Sequence, residues 1–410
     1  MLIAGSAGYG NYRHQADVCH AYQIVLKAGI KPEHIITLAM DDIANSEENP
    51  YPGQLFNKPT AEGTPGVDVY DGCQIDYSGK QVTPEIFTAV LTGDEATAGG
   101  KVLKSTKKSR VFVNFVDHGG VNLIGFPSTT MHAKELMAAL QTMHDTNMYK
   151  ELVFYLEACE SGSMFAKLPE GISIYATSAA NAKESSWGTY CPPDDKVNGK
   201  SLNSCLGDLY SINWMEDSDK EIKSGETLAQ QFLAVKQLTN KSHVTQFGDM
   251  SIASAEPTSN FQGKTDKTDG TLMGRPVVDL TKSGRKATTD LPSADAELAS
   301  AYARFMATDC PKAGAELIKG INERVEANQR FEKIATSVTG HKLTAAMRAV
   351  EGAGAAHMEC HFTAHKAYVA KCGEWTTGAL KHSADLAALC AATEGDSRSI
   401  VAAINEACAK

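Results

Sequence analysis

At 410 residues, with 42% hydrophobic and 21% charged side chains, the chain is long enough for two or three domains and apolar enough to bury full cores. A formal charge of −10 argues against a nucleic-acid or anionic-membrane partner. No apolar stretch reaches the roughly 18 residues that a membrane-spanning helix needs.

The chain opens on Leu2-Ile3-Ala4-Gly5, which reads as a truncated strand, so a leader is expected to have been removed and Met1 to be an added start. Strands are expected at Met1–Ala4, His34–Met40, Arg110–Asp117, Leu152–Ala158 and Ile172–Thr177, runs nearly unbroken by charge, as strands buried on both faces should be. Helical periodicity falls between them at His14–Ala28, Pro84–Leu91, Ala133–His144 and Thr227–Leu238. Thr83-Pro84 is a good N-cap followed by proline at the first helical position. This alternation predicts an α/β fold with a mostly parallel sheet over residues 1–255. From about 256 to 293 the chain is rich in Gly, Thr, Lys and Asp with little periodicity, as in a linker. From Ala294 onward Ala-rich helical patterns predict a second, all-α domain. Charge divides along these lines: residues 1–255 hold 20 basic and 30 acidic side chains, residues 291–410 hold 13 and 14. Five of the 12 histidines lie in that tail, which gains positive charge below about pH 6.5.

Two strand ends carry the chemistry. "VFYLEACESGSMF" ends an apolar run at Glu157-Ala158-Cys159, and "VFVNFVDHGG" ends in Asp117-His118-Gly119-Gly120. Ligands bind at the carboxyl ends of parallel strands, so adjacent strands here deliver a thiol and an imidazole to one edge, as a cysteine nucleophile beside a general base requires. Gly119 and Gly120 let backbone N–H groups turn toward an oxyanion. Spacing alone leaves this dyad open against a buried structural thiol and a turn-capping histidine. The Gly-rich "AGSAGYGN" lacks the ending of a phosphate loop and is read as a turn presenting Asn11 and Arg13.

Six blocks, "GYGNYRHQADVCHAYQ", "MDDIANSEENPYPG", "VDHGG", "EACESGSMF", "YATSAAN..ESSWGTYC" and "CLGDLYSINWMEDSD", occur in an order that resembles the legumain family, the asparaginyl endopeptidases. The resemblance implies a caspase-like α/β/α sandwich at 1–255, a linker or activation peptide at 256–309, and a helical, death-domain-like prodomain at 310–410. It implies Cys159 as nucleophile, His118 as acid/base, Asn11 supporting the histidine and Gly119 as oxyanion donor. Its specificity pocket falls on Arg13, His14, Glu157, Ser185 and Asp208. An asparagine side chain offers one carbonyl acceptor and two N–H donors, so a cation (Arg13) and carboxylates (Glu157, Asp208) complement it. Each of these charges could otherwise be an ordinary surface ion pair.

The resemblance further implies disulfides Cys360–Cys390 and Cys372–Cys408 and a bridged loop at Cys191 and Cys205, leaving Cys19, Cys73 and Cys310 free. His357, His361 and His365 in "AHMECHFTAHKAY" share one helix stripe; solvated histidines are expected there rather than zinc, and no metal or cofactor is expected elsewhere. Asn240-Lys241-Ser242 is a glycosylation sequon, a triplet also common by chance. Thr92-Gly93-Asp94 stands where some members carry Arg-Gly-Asp, so integrin binding is not implied.

The expected function is a zymogen of a cysteine endopeptidase that cuts after asparagine, or aspartate in acid. Its partners are peptides with exposed asparagine and its own prodomain, in an acidic lysosome- or vacuole-like compartment or outside the cell. Self-cleavage is expected at Asp309, followed by Asn260. Alternatives are peptide ligation through the same acyl-enzyme, the related lipid-anchor transamidase, and an inert relative used for binding. The small Gly188 leaves room for water and so favours hydrolysis. The prodomain's interface with the acidic part is expected to use Arg304 or Arg348.

Overall fold

In the computed structural model, residues 1–221, 225–264, 271–272, 275–276, 288–309, 311–344 and 353–409 are described. Six strands build the central sheet: β1 (Leu2–Ala4), β2 (Thr37–Leu38), β3 (Arg110–Val116), β4 (Glu151–Glu157), β5 (Ile174–Ser178) and β6 (Thr245–Gly248). Their spatial order is β6-β5-β4-β3-β1-β2. The first five pair in parallel, and β6 adds an antiparallel edge. The expected strand His34–Met40 shrinks to two paired residues. Ile35, Ile36 and Ala39 are buried all the same, and the Ala39 N–H goes to the Tyr77 carbonyl instead of a neighbouring strand.

Period-two alternation in β3 and β4 feeds two cores. Phe112, Val116, Val153 and Tyr155 face one side; Val113, Phe115, Phe154 and Leu156 face the other. Helix α1 (Tyr12–Lys27) covers the first side with Ala16 and Tyr22, joined by Trp214 of α4 (Leu209–Glu221) and Phe232 of α5 (Leu228–Leu238). Helices α2 (Pro84–Thr92) and α3 (Ala133–Asp145) cover the second with Phe87, Leu136 and Leu140. The α2 start follows its sequence signal: the Thr83 hydroxyl accepts the Ile86 N–H at 3.2 Å, and Pro84 takes the first helical position.

The C-terminal region is helical: α6 (Ser293–Thr308), α7 (Pro311–Thr339), α8 (Met358–Cys372), α9 (Ser383–Ala392) and α10 (Arg398–Ala407). Phe331, Ile334, Tyr368, Trp375, Leu389 and Ile404 form its core, which also takes in Leu123 from the short strand Leu123–Phe126 that follows β3. Disulfides Cys360–Cys390 and Cys372–Cys408 staple it, and Cys191–Cys205 closes a loop of the α/β part.

Two expectations need correction. Cys19 and Cys73 are not free but bonded to each other, which ties α1 to a loop 54 residues away; no local spacing signals such a long-range bridge. His361 and His365 are not solvated but almost wholly buried, against His132 at the start of α3. Cys310 and Arg348 lie outside the described residues. Among the described residues no helix is long and apolar enough to cross a membrane.

Candidate active site

β3 and β4 end together, Val116 opposite Glu157, and the Asp117 N–H extends the ladder to the Glu157 carbonyl at 3.0 Å. Two positions past Val116 and Glu157 stand His118 and Cys159, and Gly119 packs against Ala158 and the Cys159 carbonyl. A Cβ at Gly119 would lie 2.4 Å from the Cys159 carbonyl oxygen, so only glycine allows this approach. The chain then turns sharply at Glu160, whose φ is 49°, into a short helix at Ser161–Phe165.

The His118 Nε2 lies 2.7 Å from the side-chain Oδ1 of Asn11, and the Asn11 Nδ2 donates to the Ala7 carbonyl at 3.0 Å. With Asn11 Oδ1 fixed as acceptor, the proton sits on Nε2 and Nδ1 is left basic; Nδ1 is buried with no hydrogen-bond partner among the described residues. Burial, then the nearby charges of Arg13 and Arg324, push His118 well below the usual histidine range. Burial, with Glu160 beside it, pushes the Cys159 thiol up to about 12. Its Sγ is 3.2 Å from the Ser185 hydroxyl and 3.7 Å from that of Ser186. Covered in this way, thiol and imidazole are both neutral.

Beside them Arg13, wholly buried, donates from Nε to Asp208 Oδ1 at 2.8 Å. Glu157 Oε2 accepts from the Ser211 N–H and hydroxyl at 2.9 and 3.0 Å, while Oε1 has no hydrogen-bond partner among the described residues. Burial and the neighbouring Asp208 raise Glu157 well above the carboxylate range. His14 accompanies this group, its Nδ1 2.6 Å from the Ser6 hydroxyl and its Nε2 3.5 Å from Asp208 Oδ2. His14, Asp117 and His118 bring ligand-type atoms within 4.8 Å of one another, the one such group among the described residues. His14 Nδ1 and His118 Nε2 are engaged by Ser6 and Asn11, while His14 Nε2 and His118 Nδ1 have no hydrogen-bond partner among the described residues. Gly188 lines the same space: a Cβ there would stand 3.4 Å from Arg13 Cδ.

Of the pocket residues expected from sequence, Arg13, His14, Glu157 and Asp208 therefore gather at one place, and Ser185 lies against the thiol. Sequence reasoning missed what fills it. Leu291–Pro292 pairs antiparallel with Trp187–Gly188, and the Ser293 N–H donates to the Ser186 carbonyl at 2.8 Å. This strand delivers the Ser293 hydroxyl to Arg13 Nη2 at 2.8 Å. The helical tail closes the other side. A Cβ on Gly120 would meet Ser383 Oγ at 2.3 Å, and a cavity of about 420 Å³ remains under Arg324, Trp375 and Thr377 beside Asn11 and His118. Around the cleft Arg304 pairs with Glu48, Lys134 with Glu359 and Lys366 with Glu135. The two cleavage candidates are both exposed: Asp309 follows the last turn of α6 with φ 51°, and Asn260 lies in the short helix Ser259–Gln262.

Known proteins resemble this chain along most of its length. The sequence model of the Peptidase C13 family matches residues 1–264, and that of the legumain prodomain matches residues 315–408. The chain is 41% identical over 391 residues to legumain of Mus musculus, covering 93% of this chain and 85% of that protein. It is 49% identical over 268 residues to hemoglobinase of Schistosoma mansoni, covering 65% and 59%. It is 38% identical over 413 residues to vacuolar-processing enzyme of Vicia sativa, covering 95% and 81%. The chain belongs to the legumain family, Peptidase C13, as a cysteine-type endopeptidase with a C-terminal legumain prodomain.

Proposed function

We propose that this endopeptidase is made latent, cuts after asparagine and, in acid, after aspartate, and frees itself from its own prodomain when acidified. The observation that carries the reading is the pocket beside Cys159: the Arg13 guanidinium is held by Asp208, and the Glu157 carboxyl keeps one oxygen unpaired. A guanidinium N–H meets an asparagine carbonyl oxygen, and a carboxyl oxygen meets its N–H. An apolar side chain would leave both unpaired, and so is rejected strongly.

The chemistry needs no cofactor. Once the tail leaves, water reaches the thiol and lowers the cost of its charge. Cys159 Sγ attacks the scissile carbonyl as its proton passes to His118 Nδ1, and the Gly119 N–H serves the oxyanion. His118 gives that proton to the leaving amine, which departs as the C–N bond breaks. Water then attacks the thioester, loses its proton to His118, and the thiol re-forms on Cys159. Asn11 keeps the imidazole in the needed tautomer throughout. Substrates are peptides and proteins with accessible asparagine. The setting is an acidic lysosome- or vacuole-like compartment, or the exterior of the cell.

The test uses acid-incubated protein and reporter peptides ending in Ala-Ala-Asn, Ala-Ala-Asp and Ala-Ala-Gln. Asparagine should be cut from pH 5 to 7, aspartate only at the acid end, and glutamine poorly throughout. Similar rates on all three would discard the pocket.

A further inference from the structure

Arg13, Asp17 and His20 fall at i, i+4 and i+7 on one face of α1, the face turned toward Asp208. Asp17 is fully buried, and among the described residues no basic side chain pairs with it. Its two oxygens take two N–H donors instead. Asp17 Oδ2 accepts the backbone N–H of Asp208 at 3.1 Å, and Oδ1 accepts Asn57 Nδ2 at 2.7 Å. Asn57 Nδ2 also donates to the Leu206 carbonyl at 2.8 Å, which fixes Asn57 Oδ1 as an acceptor for His20 Nδ1, 2.8 Å away. His20 Nε2 lies 2.9 Å from Asp219, whose side chain is 29% exposed. A continuous hydrogen-bonded chain thus runs from the surface at Asp219 through His20, Asn57 and Asp17 to the backbone of Asp208. There is little slack along it: a Cβ on Gly207 would already stand 3.0 Å from Asn57 Nδ2.

We propose that Asp17 is a positioning residue for side-chain selection: it holds Asp208 by the backbone N–H and so fixes the Arg13–Asp208 pair that faces the substrate. The inference rests on the asparagine-pocket reading above and deepens it. Asp208 anchors Arg13 through Nε alone, so a shift of Asp208 turns the guanidinium and moves the donors meant for the substrate carbonyl. Burial, with the Asp208 and Glu157 charges nearby, holds Asp17 well above the carboxylate range. Asp17 has no hydrogen bond to Cys159 or His118. Its loss therefore falls first on selection and reaches the dyad only through Arg13, whose Nη1 donates to the Asn11 Oδ1 that holds His118, at 3.4 Å.

The experiment compares acid-incubated wild type with Asp17→Ala and Asp17→Asn by steady-state kinetics on the asparagine and glutamine reporters. The rate of Cys159 alkylation by iodoacetamide serves as a readout blind to the pocket. Asp17→Ala, which leaves the Asp208 N–H without its acceptor, should raise KM for the asparagine reporter about tenfold or more. Its kcat should fall less, the preference for asparagine over glutamine should narrow, and alkylation should stay within about twofold of wild type. Asp17→Asn keeps one acceptor and should fall between the two. Should Asp17→Ala not accumulate as folded protein, Asp17→Asn carries the test, with a KM rise of about threefold or more expected. An unchanged KM and preference overturn the inference. So does an equal loss on both reporters matched by slower alkylation, which marks a general structural role. If wild type itself shows no preference for asparagine, the pocket reading fails instead, whatever the variants do.

Discussion

Cys159 and His118 are neutral while covered, because burial penalises the charged form of each. Cys159→Ala replaces a buried thiol by a smaller apolar side chain, so the fold should persist while turnover falls by several orders of magnitude. A loss of only a few fold on the asparagine reporter would remove Cys159 from the role of nucleophile. The pocket makes a second prediction. A substrate aspartate, ionised above its ordinary value of about 3.9, meets the carboxyls of Glu157 and Asp208, and only its protonated form imitates asparagine. Cleavage after aspartate should therefore fall about tenfold for each pH unit above roughly 5, whereas cleavage after asparagine changes far less. Parallel pH profiles for the two reporters from pH 5 to 7 would contradict this.

Among the elements, β3 and β4 were legible because both faces of each are buried and apolar, and because a parallel strand end is where polar residues become functional. The edge strand β6 was not: Thr245–Gly248 is half-exposed, offers little beyond Phe247, and owes its conformation to pairing with β5. The Arg13–Asp208 pair spans 195 positions and could be placed by family resemblance but not by spacing. Ser293 was illegible altogether, since nothing marks a serine as a pocket filler until its strand is seen beside Trp187–Gly188. The histidine stripe on α8 was read with the right period and the wrong environment. His132 Nε2 lies 3.1 Å from His361 Nδ1, His361 Nε2 lies 3.0 Å from the Ser383 carbonyl, and Trp375 donates to His365 Nδ1 at 3.0 Å. Burial lowers His361 to about 4 and His365 to about 3, and His132 further still, with Lys134 and Lys366 adding repulsion. Those lysines are themselves paired to Glu359 and Glu135 across the same seam. A freed imidazole titrates near 6.5, so the undocked tail binds more protons than the docked one. The contribution to docking is full above about pH 6.5 and is lost as pH falls from there toward 4, at most about 2 kcal/mol per imidazole at pH 5. The double variant His361→Gln, His365→Gln should flatten the rise of prodomain release with acidity, measured as fluorescence or size against pH. An unchanged steepness would acquit the cluster.

For the whole molecule the question is where the chain cuts itself when the tail loosens. A protease reaches backbone that is exposed and able to leave regular structure. Asn322 has ideal side-chain chemistry but lies inside α7, where cleavage would require breaking a long helix. Asn260 is exposed, yet it sits in the helix Ser259–Gln262 with its backbone N–H donated to Pro257 and its side chain bonded to Glu256. Asp309 lies at a junction: α6 ends on it in a left-handed conformation, and Pro311 begins α7. A cut there separates Leu291–Pro292, which lines the cleft, from the helices that cover it, so one event loosens both blocks. It also needs a protonated aspartate in the pocket, so the same acid that weakens the seam licenses the cut. Incubation below about pH 5.5 should yield a new terminus after Asp309 first and after Asn260 second, as read by mass spectrometry, with neither in Cys159→Ala protein kept free of active enzyme. Asp309→Ala should delay processing and shift it to Asn260. Efficient processing of the wild type at pH 7.5, or termini confined to residues other than asparagine and aspartate, would overturn this order of events.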